Sequence, residues 1–173
     1  VFIVQSFSAQ LVIRGEEAAA RRYAWYGLIL AGVVQILALC AWPLIGSALG
    51  FFSYEPAVHE AMRDYIQIRL LAVGAVVAVE ALGNWFGGLG NTHPHMFAGL
   101  ISMVVNVALN WVLIHGNLGA PALGVKGAAL ASLIASLVGL AYLVMRFLRA
   151  RPTNADPDVV RLRGHELLRM LRF

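Results

Sequence analysis

Long apolar runs without charged residues dominate the pattern of the chain. Residues 23–54 contain no Asp, Glu, Lys or Arg, and an α-helix needs only about 20 residues to cross the hydrocarbon core of a bilayer. The pattern predicts one partial and four full membrane spans, at about 1–13, 26–49, 70–89, 96–114 and 127–145. Because backbone groups find no water in the bilayer core, and because these runs are too long for barrel strands, we expect an all-α, polytopic transmembrane helical bundle over residues 1–145.

Composition agrees with a membrane protein. Of the 173 residues, 60% are hydrophobic and 13% are charged, whereas soluble domains have roughly 45–50% and 25%. The single cysteine, Cys40, lies in an apolar run, so a disulfide within the chain is excluded. The first residues read as the tail of a span, and the last ten read as the amphipathic start of another helix. We therefore expect a fragment of a longer membrane protein.

The basic residues predict the orientation of the bundle. Residues 14–22 contain three arginines, and residues 146–173 contain seven of the thirteen basic residues. Both segments should be cytoplasmic by the positive-inside rule, and 146–173 should form an Arg-rich linker that leads into the start of a further helix. Residues 53–69, between the first and second full spans, balance acidic against basic residues and should form an outward-facing loop. The expected location is the plasma (inner) membrane. The arginines then contact anionic lipid, and no nucleic acid partner is expected.

Four polar side chains inside the predicted spans are the candidate substrate or ion cavity. Asn106 and Asn110 lie four positions apart and therefore on one helix face, and Glu80 and Asn84 repeat this spacing on the preceding span. Ionisable residues within a span usually face the bundle interior or a watery cavity, which makes Glu80 a candidate for proton exchange. Amides can also serve as contacts between helices, so packing stays an open alternative for the asparagines.

Small residues predict where helices pack closely. Gly83 and Gly87 form a G-x-x-x-G step. The fourth span carries small residues at the same spacing on two neighbouring seams, namely Ala128, Ser132 and Ser136 on one and Ala131, Ala135 and Gly139 on the other. The five histidines lack carboxylates or thiols at metal-ligand spacing. Phosphate-binding loops and the common catalytic motifs are absent from the sequence. The chain is therefore not predicted to be an enzyme, and neither a cofactor nor a bound metal is expected.

One region resembles a known family. Residues 88–132 read "GLGNTHPHMFAGLISMVVNVALNWVLIHGNLGAPALGVKGAALAS". This run is similar to the N-terminal half of the multidrug and toxic compound extrusion (MATE) transporters in its "G-x-G-x-T" turn, its N-x-x-x-N helix and its "P-x-L-G-V-x-G-A-A-L-A" helix start. The segment "FSAQL" at 7–11 resembles the end of that family's second helix. The resemblance implies a partial MATE-like lobe, from the end of helix 2 through helix 6 to the start of helix 7.

The family implies a function. MATE transporters are cation-coupled antiporters that use H⁺ or Na⁺ to export organic, often cationic, drugs or toxic compounds by alternating access. By resemblance, Asn106 and Asn110 match the polar stripe that lines the cavity of the N-terminal lobe. The implied partners are a small-molecule substrate, membrane lipid and the remaining half of the transporter. Two alternatives stay open, a lipid-linked oligosaccharide flippase of the same superfamily and a non-transporting structural membrane subunit.

Overall fold

The computed structural model describes residues 2–150, which fold into seven α-helices joined by short turns. The helices are α1 (Phe2–Ile13), α2 (Glu17–Cys40), α3 (Leu44–Leu49), α4 (Pro56–Leu70), α5 (Val73–Gly88), α6 (His93–His115) and α7 (Val125–Arg149). A single 3₁₀ turn at Asn117–Gly119 lies between α6 and α7. Strands do not occur within residues 2–150, so the predicted all-α class is confirmed.

Four candidate membrane spans emerge from these helices. Helices α2, α6 and α7 are each long and apolar enough to cross a bilayer. Helices α4 and α5 pass the same criterion as a pair, with a bend of 43° at the break between them. If this bent pair counts as one span, the number agrees with the four full spans expected from the sequence.

The first span differs from its expected position. Residues 26–49 were expected, but α2 covers Glu17–Cys40 and the short α3 follows it. Pro43 stands at the break, where its missing amide hydrogen and its ring prevent a continuous helix. At the other end α2 begins at Glu17, so Arg21 and Arg22, expected in a polar turn, lie inside this helix with side chains that are only 9% and 8% exposed.

The second span is longer than expected because α4 precedes it. Residues 70–89 were expected as the span, and the segment before them was interpreted as an outward-facing loop on account of its charges. In the structure this segment is a helix of 15 residues. Pro56 stands in its first turn, a position that tolerates the lack of an amide hydrogen.

The third and fourth spans begin and end within four residues of their expected bounds. Helix α6 covers His93–His115 where 96–114 was expected, and α7 covers Val125–Arg149 where 127–145 was expected. The expected linker at 146–173 thus begins inside a helix. Residues 151–173, with the expected start of a further helix, lie outside the described residues.

The core lies between α1, α2, α5 and α7. Trp85 of α5 is at its centre: its indole nitrogen donates a hydrogen bond to the Ala20 carbonyl at 3.0 Å, and its ring meets the edge of Phe147 with centroids 5.0 Å apart. Of the two predicted seams on α7, the one with Ala131, Ala135 and Gly139 is buried, as is Gly127 at the start of that helix, whereas the other, with Ala128, Ser132 and Ser136, is only partly buried. A Cβ atom on Gly127 would lie 2.5 Å from the Leu113 carbonyl oxygen of α6, so the two backbones pack in close contact.

The start of α2 and the end of α7 lie at the same end of the bundle. Arg21 donates a hydrogen bond from Nη1 to the Ala150 carbonyl, and its guanidinium lies 4.2 Å from the centroid of the Phe147 ring. Guanidinium groups bind aromatic faces at this distance through the ring quadrupole. The first arginine-containing segment and the described part of the second, residues 146–150, therefore lie at one end of the bundle, as the positive-inside argument requires. Which side of the membrane this end faces stays a prediction.

Candidate functional site

A glutamine of α2 bridges the break in the bent span. In a continuous helix the Gly74 amide would bond to the Leu70 carbonyl four residues earlier. Here the Gln35 side chain takes both roles, since its Nε2 donates to the Leu70 carbonyl at 3.1 Å and its Oε1 accepts from the Gly74 amide at 2.8 Å. A Cβ atom on Gly74 would lie 2.6 Å from the Gln35 Cβ, so only glycine permits this approach. Gln35 satisfies the two backbone groups that the break exposes.

The bend places an arginine close to the middle of the bent span. Arg69 is in the last turn of α4 and is the fourteenth of the 33 residues from Pro56 to Gly88. Its side chain is half-buried, and within residues 2–150 its guanidinium has neither a hydrogen bond nor an ion pair. A cation also suits the negative end of the α4 dipole.

Arg69 lines a polar pocket between α4, α6 and α7. The pocket has a volume of about 380 Å³. Its lining consists of Arg69, Gly99, Ser102, Met103, Asn106, Ser132, Ala135 and Ser136. Ser102 and Asn106 lie in the central turns of α6 and Ser136 lies in a central turn of α7, so with Arg69 the pocket stands near mid-height of three candidate spans.

The two candidate asparagines form a hydrogen-bonded chain that joins α6 to α7. Asn110 donates from Nδ2 to Asn106 Oδ1 at 3.0 Å, and Asn106 donates from Nδ2 to Ser132 Oγ at 3.1 Å. Ser136 donates its hydroxyl to the Ser132 carbonyl at 2.9 Å. The Asn110 Oδ1 atom is buried, and no partner for it exists in the described part of the chain. The predicted shared face of the two asparagines is confirmed, and of the two only Asn106 lines the pocket.

The other two candidates, Glu80 and Asn84, form a separate group. The Glu80 side chain is about half exposed, at 49%, and its Oε1 lies 3.8 Å from Nε2 of His95 in α6. Asn84 is buried and donates from Nδ2 to the main-chain carbonyl of Glu80 at 2.7 Å. The His95 ring packs against Gly83, where a Cβ atom would lie 2.5 Å from the ring. Among residues 2–150, none of the hydrogen bonds or ion pairs connects this group to Asn106 or Asn110.

Three residues of these groups were missed in the sequence analysis: Gln35, Arg69 and His95. Arg69 was assigned to a loop, although the apolar residues of α4 recur at helical spacing and could have placed it inside a span. Gln35 and His95 gave no such signal, because their partners lie on other helices. Groups of three His, Cys, Asp or Glu side chains able to hold a metal ion do not occur in the part of the chain that the structure describes.

Relatives of the chain are multidrug resistance proteins by name. This chain is 33% identical over 108 residues to "Multidrug resistance protein NorM" of Aliivibrio fischeri. The match covers 62% of this chain and 24% of the relative. It is 29% identical over 144 residues to "Probable multidrug resistance protein NorM" of Rhizobium meliloti, which covers 83% of this chain and 31% of the relative. The chain thus spans about a quarter to a third of the length of these relatives.

A solved structure and a family model both agree with the resemblance of residues 88–132 to the MATE transporters. A solved structure titled "Inward-facing conformation of a multidrug resistance MATE family transporter of the MOP superfamily" aligns with a TM-score of 0.79. The alignment covers 97% of this chain and 39% of that one at 18% identity, and it shows a shared fold. The family model MatE matches residues 4–112, which is more than half of the chain. The chain is therefore an integral membrane protein that belongs to the MATE family.

Proposed function

We propose that the chain is part of a cation-coupled antiporter that exports organic, often cationic, drugs or toxic compounds in exchange for H⁺ or Na⁺. Its relatives carry the name of multidrug resistance proteins and are more than twice as long. The remaining half of the transporter and membrane lipid are accordingly its proposed partners. Alternating access then consists of the rocking of one half against the other around a site near the bilayer midplane.

The polar pocket is the observation that carries this proposal. Arg69, Asn106 and Ser132 come from three different helices and line one space of about 380 Å³ at mid-height of the bundle. Polar and charged groups at this depth are expensive in contact with lipid, and they usually face a water-filled pathway. The pocket therefore supports a hydrated cavity. The hydrogen bond from Asn106 to Ser132 holds α6 and α7 together at its wall.

Glu80 is the proposed group for proton exchange. Its carboxylate is half exposed within residues 2–150, and an imidazole lies 3.8 Å away. Carboxylates and imidazoles both accept and release protons in catalysis and transport. Asn84, bonded to the Glu80 main chain, then has the role of fixing the helix turn below that carboxylate.

The proposed function is tested by transport in proteoliposomes that contain the full-length protein. A fluorescent organic cation is loaded, and a proton or Na⁺ gradient is imposed across the membrane. The expected result is gradient-dependent efflux that falls at least fivefold in an Asn106→Leu variant, because leucine removes the amide from the pocket wall. Asn91→Leu is the matched control, since Asn91 is exposed in the turn before α6.

The outcomes separate the three candidate functions. Efflux driven by one of the two gradients supports the antiporter. Defective export of lipid-linked oligosaccharide in a deletion strain, without any dye efflux, would assign the chain to a flippase of the same superfamily. The absence of both activities from a correctly inserted protein would leave the structural subunit. Equal efflux from the Asn106 and Asn91 variants would remove the polar pocket from the transport pathway.

A further inference from the structure

A separate groove lies between the start of α4 and the start of α7. Because Arg21 contacts the residue after the end of α7, this groove stands at the opposite end of the bundle. Its volume is about 480 Å³. Six residues of α4 between Ala57 and Ile66 line it together with Val125 of α7, and of these seven residues only Tyr65 carries a polar group in its side chain. The groove is therefore apolar along its whole length.

A charged rim borders this groove. An adjoining space shares three of its lining residues and adds the charged side chains of Glu60, Asp64 and Lys126. Lys126 Nζ lies 2.8 Å from Asp64 Oδ2, so these two charges neutralise each other. Glu60 is exposed, and among residues 2–150 it has neither a hydrogen bond nor a salt bridge, although Lys126 attracts it over a longer distance. The rim thus has a formal charge of −1, and its Glu60 carboxylate is free to accept hydrogen bonds.

The depths of the rim and the groove match the two parts of a phospholipid. Glu60 and Lys126 are the fifth and second residues of helices that begin at this end of the bundle, so the rim lies near the membrane surface. From Ala57 to Ile66 the groove follows α4 inward for about 14 Å. One leaflet supplies about half of the roughly 30 Å hydrocarbon core. An acyl chain of that leaflet can therefore follow the groove while its headgroup stays at the rim.

We infer that the groove and its rim bind a phospholipid whose headgroup carries a primary ammonium group. Such a group donates hydrogen bonds to a carboxylate, and Glu60 offers one beside the groove. The Lys126 ammonium keeps free N–H donors after its bond to Asp64, and these can bind the phosphate of the same headgroup. A choline headgroup lacks N–H donors and should bind less tightly. The inference goes beyond the proposed export function and does not depend on it.

Native mass spectrometry of the delipidated full-length protein tests this inference. Phosphatidylethanolamine and phosphatidylcholine with identical acyl chains are titrated separately, and the affinity for the first bound lipid is compared. The wild type should prefer the ethanolamine lipid by about fivefold, a modest factor because Glu60 is exposed to solvent. Glu60→Gln should remove this preference and leave binding of the choline lipid unchanged. Glu55→Gln is the matched control, since Glu55 is an exposed acid just before α4 that does not line the groove.

A variant that fills the groove tests the site of the acyl chain. Ala61→Phe places a ring in the groove and should weaken binding of both lipids by about fivefold, because the displaced methylene groups lose their apolar contacts. If this variant fails to fold, Val58→Phe at a more exposed lining position replaces it. Unchanged lipid binding in the groove-filling variant would overturn the inference, since another part of the full-length protein would then cover the groove.

Two further results would also overturn the inference. The first is equal affinity of the wild type for the two lipids, or a preference that survives in Glu60→Gln. The second is Glu60-dependent binding of tetraphenylphosphonium that displaces the lipid, which would assign the groove to a hydrophobic organic cation. Because lipid binding needs no ion gradient, its presence or absence leaves the proposed export function untouched. Loss of gradient-driven efflux with lipid binding retained would contradict only that function.

Discussion

Replacement of Gln35 by methionine tests whether this glutamine holds the bend between α4 and α5. Methionine has a similar length and is unbranched, but it offers no amide. The change removes both bonds across the break, at 3.1 and 2.8 Å. If the break stays open, the Leu70 carbonyl and the Gly74 amide are left unpaired, and each unsatisfied buried group costs about 1–3 kcal/mol. Both bonds are only partly buried, so we expect the lower end, a loss of about 2 kcal/mol.

A second structural response is available to the variant. The helix can close across the break, so that the Gly74 amide bonds directly to the Leu70 carbonyl. Stability then falls by less, since membrane hydrogen bonds average about 0.6 kcal/mol. The bend of 43° would decrease, however, and Arg69 would leave the pocket. Either the free energy of unfolding or the geometry must therefore change.

The assay combines reversible unfolding in mixed micelles with a distance measurement in the full-length protein. Spin labels at the exposed positions Val58 on α4 and Val76 on α5 report the bend. Gln67→Met is the matched control, since Gln67 is on α4 and has no side-chain hydrogen bond in the described residues. A Gln35→Met variant that loses less than about 0.5 kcal/mol and also keeps the wild-type label distance would refute the bridging role.

Three further predictions concern packing, coupling and orientation. Gly127→Ala should destabilise the protein by about 1–3 kcal/mol in the same unfolding assay, because a Cβ there would overlap a carbonyl oxygen of α6. The control Gly32→Ala, where a Cβ would meet open space, should be neutral or stabilising. Glu80→Gln should reduce gradient-driven efflux at least tenfold with substrate binding retained, whereas wild-type coupling in this variant would exclude proton exchange there. Cysteines are introduced at the exposed positions Glu16 and Ser53 of a protein that lacks the native cysteine. They should react with impermeant maleimide from opposite sides of the membrane, the cysteine at position 16 from the cytoplasm. Labelling of both positions from one side contradicts the orientation.

The sequence predicted best the spans whose apolar runs are uninterrupted. Helices α6 and α7 lie within four residues of their expected bounds, since Gly116 and Gly124, both at positive φ, separate two uncharged runs. Helix α4 was missed because Arg63 and Asp64 gave its segment the composition of a loop. The break at Pro43 likewise lies inside an apolar run, where hydropathy carries no information on helix ends.

The site was predictable only as far as residues on one helix are concerned. Spacing alone placed Asn106 beside Asn110, and the two amides do bond to each other. It also suggested one cavity for all four candidates, whereas Glu80 and Asn84 form their own group beside His95. Contacts between α5 and α6, or between α4 and α7, depend on how helices cross, which a single sequence does not encode in a local pattern. Whether the four residues bind substrate or ions stays a prediction.

The contact of Arg21 with the end of α7 has a consequence for biosynthesis. Arg21 and the Ala150 carbonyl that it binds are 129 residues apart in the chain. At roughly 5–20 residues per second, a ribosome needs about 6–26 s to make the intervening polypeptide. During this interval α2 has already left the ribosome, and the Arg21 side chain must extend to water or lipid phosphate at the membrane surface. The aromatic ring of Phe147 emerges near the end of the interval, so this end of the bundle closes only after α7 has inserted.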